Sequence, residues 1–263
     1  MHVAMSEGLR GSLSSDGPDA QIAGGRSLET RKPGAPADVA RGIVPLAVFD
    51  YDGTIIDGQS GALFSRYLLQ RGLISKRTAS RLVWWGARYK LHLPYRQDEA
   101  RELIFRDLGA LGRDEAHRIM HEFHDEVLVP RCRVDAVSRI HRCHEEGCLT
   151  LLVSATFEEI AREAAERLGL DGYVGTRMEV DERGNFTGQV EGEVTAGEGK
   201  CRAVRAWADE HLGPGHWRVA YAFGDHFTDE PLLAEAEQGF AVCPGKTLRQ
   251  IARRRGWPVL EWR

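Results

Sequence analysis

Long apolar runs are missing from this chain. Its most apolar stretches, such as Leu149 to Val153, fall far short of the roughly 20 residues that span a bilayer. The N-terminus has no apolar segment of the signal-peptide kind, so a soluble protein without membrane insertion is expected. Cysteine is scarce: the five residues Cys132, Cys143, Cys148, Cys201 and Cys243 are odd in number and never spaced as CxxC. That pattern excludes a disulfide framework and a zinc ribbon and predicts a reducing, cytoplasmic setting. A dense basic block is also absent, and the formal charge is −4. Nucleic acid, whose phosphates demand a clustered positive face, is therefore not an expected partner. A small molecule is, with the chain working as a monomer or homodimer.

What is present fits one substantial core with an accessory insertion: 263 residues, 42% of them hydrophobic. Residues 1–44 are rich in Gly, Ser, Ala and Pro, with Asp16, Asp19 and Glu29 scattered among arginines. The acids argue against an organellar transit peptide, and the composition predicts a disordered tail. Leu46 to Phe49 reads as a buried strand ending in the turn Asp50-Tyr51-Asp52-Gly53-Thr54. From Gly61 to about Pro130 the apolar spacing turns helical, broken by Gly72, Pro94 and Gly109 to Gly112, which predicts about four helices forming a small bundle of their own. After a helix around Val134 to Glu146, strand Cys148 to Val153 leads to Ser154, helix Glu158 to Leu168 follows, and Tyr173 to Val194 reads as a hairpin flap. Helix Lys200 to His211, strand Arg218 to Phe223 and a last strand Phe240 to Cys243 complete a parallel α/β pattern.

Polar residues gather just after the strands: Asp50 and Asp52, then Ser154 and Thr156, then Asp225 and Asp229. In an open α/β sheet that edge binds ligands. Lys200 would make a fourth segment of one cleft. The set suits phosphoryl transfer, whose obstacle is charge: two unit charges about 4 Å apart repel by roughly 4 kcal/mol at an effective dielectric of about 20. A divalent metal held by Asp50 and Asp225, with Lys200 beside it, would offset that repulsion. Asp50 then serves as nucleophile and Asp52 as the acid and base for the leaving oxygen and for water. Gly53 lets the turn tighten so that backbone amides approach the phosphate, and Thr54 begins the segment leading to the helices.

D-Y-D-G-T at 50–54, the serine of L-V-S-A-T at 154, the lysine of G-E-G-K at 200 and G-D-H-F-T-D at 224–229 together resemble the four ordered motifs of the haloacid dehalogenase superfamily. The helical insertion after the first motif and the hairpin before the lysine are similar to its phosphoserine-phosphatase-like branch, subfamily IB. The resemblance implies a doubly wound, Rossmann-like α/β core at 45–57 and 131–263, with a helical C1-type cap at 58–130. It implies Mg2+ on Asp50, Asp225 and the backbone carbonyl of Asp52. Phosphate would lie on Ser154, Ala155, Lys200 and the Gly53–Thr54 turn, with Asp229 supporting the metal or Lys200. Where phosphoserine phosphatases carry an acid nine positions after the nucleophile, this chain has Gln59; Gln59 and Asp57 are the candidate substrate contacts on this side.

The expected activity is hydrolysis of a small organic phosphate monoester through an aspartyl phosphate. A phosphotransferase or mutase would use the same intermediate. A receiver-type phospho-switch, the alternative of a different class, would be shorter and lack the insertion. Three other features have plainer readings: the aromatics in Val83 to Tyr89 pack the cap's own core, His117, His121 and His124 form an exposed face, and Arg253 to Arg255 are solvated.

Overall fold

The computed structural model of the chain describes residues 42–263 except 92, 95 and 97, with backbone alone at 89 and 90. These residues belong to one compact unit. Of the expected tail, residues 1–41 lie outside the described residues, and Val44 already opens the first strand. In chain order the elements are β1 (Val44–Phe49), α1 (Ser60–Gln70), α2 (Lys76–Lys90), α3 (Glu99–Gly109) and α4 (Arg113–Phe123). A π turn (His124–Leu128), a 3-10 turn (Val129–Arg131) and α5 (Val134–Glu145) follow. The rest is β2 (Leu149–Phe157), α6 (Glu158–Leu168), β3 (Gly172–Thr176), β4 (Met178–Val180), β5 (Phe186–Val190) and α7 (Glu198–Leu212), then β6 (Trp217–Gly224), α8 (Glu230–Glu235), β7 (Gln238–Val242), α9 (Lys246–Arg255) and β8 (Val259–Leu260).

Six strands form one sheet in the order β3-β2-β1-β6-β7-β8, every neighbouring pair parallel. Parallel strands covered on both faces must be apolar throughout, which is why β1 is a continuous run, buried from Pro45 to Phe49. The winding reverses between β1 and β6, the switch point at which open α/β sheets bind ligands. Asp50 follows the first of these strands and Asp225 the second.

Beyond shifts of one or two residues at element ends, three features differ from the sequence reading. β2 continues past Ser154 to Phe157. Tyr173 to Thr176, expected at the start of the flap, instead belong to β3, which pairs with β2 as an edge strand, leaving Met178–Val180 and Phe186–Val190 as the antiparallel hairpin. β7 is not the last strand, because Val259 and Leu260 add a two-residue β8 that is too short for any periodicity.

The four helices between β1 and α5 do not close on a private core. Phe64 and Phe105 each meet the ring of Phe157, with centroids 5.8 and 4.4 Å apart, and Phe105 also meets Phe186 of the hairpin at 4.7 Å. Insertion, hairpin and the end of β2 thus share one apolar cluster, in which each buried Phe contributes about 1.5–3 kcal/mol. The aromatics of α2 fall outside it. Val83 and Trp84 face outward, and Trp85 is half-buried with its Nε1 donating to the Arg96 carbonyl at 2.8 Å.

Candidate active site

At the C-terminal end of β1 the chain leaves the sheet, and its amide at Asp50 is held by the Phe223 carbonyl of β6 at 2.9 Å. The buried Asp50 carboxylate accepts a hydrogen bond from Lys200 Nζ, 2.7 Å from Oδ1. The same ammonium donates to Asp229 Oδ1, also at 2.7 Å. Lys200 is the third residue of α7, so the helix start presents it to Asp50 and Asp229. Asp229 is fully buried, and its second oxygen accepts from the His226 amide at 3.0 Å, which ties the loop after β6 to the lysine.

Gly53 has a steric task. Its φ is +75°, and a Cβ there would lie 2.1 Å from Asp225 Oδ2. Its amide donates to the Gly58 carbonyl at 2.9 Å, so the group expected to face phosphate is engaged within the turn. Gly53→Ala is expected to cost about 1–3 kcal/mol from the positive φ and to displace the Asp225 carboxylate. Hydrolysis should fall at least tenfold, and thermal unfolding measured beside kcat/KM separates the two effects.

Asp52 is held by a residue the sequence reading did not single out. The Ser60 amide, at the start of α1, donates to Asp52 Oδ1 at 2.8 Å, and Ser60 Oγ lies 2.9 Å from Oδ2 and 2.7 Å from Thr156 Oγ1. Ser60 has one hydroxyl proton for two neighbours, so Thr156 donates to Ser60 when Ser60 donates to Asp52. Burial pushes the Asp52 carboxyl up, and the two Ser60 hydrogen bonds only partly oppose it. That bias toward the protonated form suits a general acid.

The remaining candidates divide. Ser154 is buried at the same edge, its Oγ accepting from the Thr156 amide at 3.1 Å. The Ala155 carbonyl accepts from Thr176 Oγ1 at 3.0 Å and from Arg101 of α3 at 2.9 Å. Thr54 is fully buried, and its hydroxyl oxygen has no partner among the described residues. Asp57 turns outward to Arg133, 2.9 Å away, and Gln59 is exposed. Arg101 brings a cation from the insertion to the edge of β2: burial pulls its pKa down, and the charges of Asp98 and Asp52 oppose that. Nothing in the spacing marks it among the 35 Lys and Arg of the chain.

Carboxylates outnumber cations here. One oxygen each of Asp50, Asp225 and Asp229 lie within 4.8 Å of one another. Burial lowers the Lys200 pKa, but Asp229 and Asp50 outweigh it and push it up, so the ammonium stays charged. Burial also drives Asp50 well up against the pull of Lys200, and it drives Asp225 up to about 7 with Asp229 adding to the effect. An all-oxygen set short of positive charge fits a hard divalent cation such as Mg2+. No histidine joins such a group among the described residues: His121 pairs with Glu163 at 3.0 Å, and the buried His124 pairs with Asp125 at 3.2 Å. All five cysteines are free thiols.

A family model described as haloacid dehalogenase-like hydrolase matches residues 47–234, a span containing every side chain of this cluster. The chain belongs to the haloacid dehalogenase-like hydrolase family. It is 33% identical over 221 residues to the "Inhibition of morphological differentiation protein" of Streptomyces azureus, covering 82% of this chain and 78% of that one. It is 31% identical over 223 residues to the phosphoserine phosphatase SerB1 of Mycobacterium tuberculosis, covering 82% of this chain and 70% of the relative. A solved structure from Bordetella pertussis Tohama I, described as a protein of unknown function, superposes with a TM-score of 0.75 at 28% identity, covering 83% of this chain and 99% of that one. Among the described residues of this hydrolase, no helix is long and apolar enough to cross a membrane.

Proposed function

We propose that the chain is a magnesium-dependent phosphatase that hydrolyses a small organic phosphate monoester through a phosphorylated Asp50. The observation that carries this reading is the pairing of two carboxylates, Asp50 buried and Asp52 half-buried, with different partners. Asp50 is held by Lys200, while Asp52, two residues on, is held by Ser60 and biased toward its acid form.

In this mechanism Lys200 fixes one oxygen of Asp50, leaving the other to attack phosphorus. Asp52 gives its proton to the departing alkoxide oxygen as the Asp50–phosphorus bond forms and the ester P–O bond breaks. In the second half Asp52 takes a proton from water, whose oxygen attacks phosphorus and returns Asp50 as a carboxylate. Ser60 and Thr156 keep the Asp52 carboxyl aimed in both halves. Ser154 supplies a hydroxyl to the phosphate, and Arg101 adds positive charge from the insertion. Asp50, Asp225 and the Asp52 backbone carbonyl would hold the Mg2+, with Asp229 behind Lys200. When bound, the ion offsets the repulsion between carboxylate and phosphate. Gln59 supplies no charge for a substrate ammonium, so phosphoserine is not the substrate we propose.

Incubating the protein with a broad panel of phosphate esters, with magnesium or with a chelator, tests the reading. Phosphate release from at least one ester that stops on chelation is expected. Silence across the panel, or turnover indifferent to chelation, would overturn it.

The raised Asp225 also sets how the ion stabilises the protein. Its pKa rises from an ordinary 3.8 to about 7, so the folded metal-free protein holds that proton more tightly than the unfolded chain. Stability from this source is full below about pH 4 and is lost as pH rises through about 7. Magnesium binds the ionised carboxylates, so its gain in melting temperature should be clearly larger near pH 8 than near pH 5.5. Thermal denaturation with and without magnesium at both pH values checks this, and equal gains would contradict it.

A further inference from the structure

The sequence is acidic overall, yet from Gly58 to Gln97 it contains no Asp or Glu and eight Lys or Arg. This asymmetry is spread along forty residues rather than packed in a block, and α2 lies at its centre. Residues at 77, 81, 84, 88 and 91, spaced 4, 3, 4 and 3 apart, form one stripe along the helix and its C-terminal turn. The stripe reads Arg, Arg, Trp, Arg, Leu. Around it Trp84 is 60%, Val83 69%, Leu91 67% and Leu93 44% exposed, so large apolar side chains stand in water on a basic helix. Beside them opens a cavity of about 370 Å³ between α2 and α3, lined by Arg81, Arg88, Arg96 and Arg106 against Glu99 and Glu102. Glu99 faces both Arg88 and Arg81, and Glu102 faces Arg96, which leaves the lining with more cations than acids.

We infer that this face of the insertion docks on a membrane surface carrying anionic lipids, with Trp84, Val83, Leu91 and Leu93 at the headgroup level and the surrounding cations on lipid phosphates. Helices that lie in the interface combine an apolar edge with Trp and flanking Lys and Arg. α2 has these and no acid of its own, and although Glu99, Asp98 and Glu102 of the next segment pair with Arg81, Arg88 and Arg96, Lys76 and Arg77 are exposed at its start. The occupant is chosen by charge. A second copy meeting the first across a two-fold axis would bring identical arginines together, whereas an anionic bilayer accepts both the cations and the indole. The face belongs to the outer side of α2, while Arg101 and Phe105 of α3 turn toward β2, so docking leaves the catalytic cluster intact.

The test is co-sedimentation of the full chain with vesicles of phosphatidylcholine alone or with about a third phosphatidylserine. We expect at least about tenfold more protein on the anionic vesicles at low salt, falling steeply at high salt. Arg77→Glu should weaken binding about fivefold or more, since each surface cation contributes roughly that factor. Trp84→Ser combined with Leu91→Ser should remove most of it. Hydrolysis of a soluble ester and the melting temperature should be unchanged in both variants, which confirms that they fold. Equal partitioning to neutral and anionic vesicles, or binding that neither variant alters, would overturn the inference. So would a dimer on size exclusion that Trp84→Ser with Leu91→Ser dissolves, because the face would then belong to a second copy.

Discussion

Replacing Asp50 by asparagine is expected to lower kcat for every ester by a factor of about 10⁴ or more, because the residue that bonds to phosphorus has no substitute within the cluster. Asn keeps the shape of the side chain, so the loss cannot be assigned to packing. The metal-free variant should melt no lower than the parent protein. Asp50 is buried among Asp225 and Asp229 with only Lys200 to balance it, and removing one carboxylate relieves repulsion within the group. An inactive variant with retained or raised melting temperature is the expected pair of results. Residual turnover within tenfold of the parent enzyme, on protein shown free of the parent form, would mean that another group carries the phosphoryl.

Asp52→Asn is expected to separate esters by their leaving groups. An alkoxide leaves poorly without a proton, so an alkyl phosphate should lose about 10²–10⁴ in kcat, the usual worth of a positioned general acid. A nitrophenolate leaves unaided, and its ester should lose far less in the phosphorylation half-reaction. Ser60 can still donate its amide hydrogen to the Asn side-chain oxygen, so the α1 start should keep its place. Steady-state rates for the two esters, with a burst experiment for the aryl ester, check this. Equal losses for both would assign Asp52 to positioning rather than to proton transfer.

The parts of the fold that could be read ahead are those where burial writes itself into the sequence. β1 is apolar from Leu46 to Phe49 because the sheet covers it on both faces, and the abrupt change to Asp50 marks where the cover ends. Asp225 and Asp229 follow β6 in the same way. Gly53 was legible as a turn residue, but its reason was not: the 2.1 Å approach of Asp225 comes from a strand more than 160 positions later, and local pattern carries no trace of it. At the start of α1 the sequence pattern points to Gln59, yet Gln59 is exposed and its neighbour Ser60 reaches Asp52, because a helix start turns successive residues to different sides. Arg101 was hidden for another reason. Its spacing is that of any helical arginine, and only the packing of Phe105 against Phe157 brings that face of α3 to Ala155. The α2 aromatics show the limit of periodicity most plainly: helical spacing predicts an apolar face, but what covers it depends on neighbours, and Phe64, Phe105 and Phe123 fill the shared core without Trp84.

The central claim is a covalent bond between Asp50 and phosphorus, and a rapid-quench experiment addresses it directly. The enzyme is mixed with a radiolabelled phosphate ester that it turns over, stopped in acid within one turnover, digested and mapped. The account predicts acid-stable label on the peptide that contains Asp50, released by hydroxylamine and absent from Asp50→Asn. Label on a different peptide, or full product formation with no labelled protein at any time point, would contradict it.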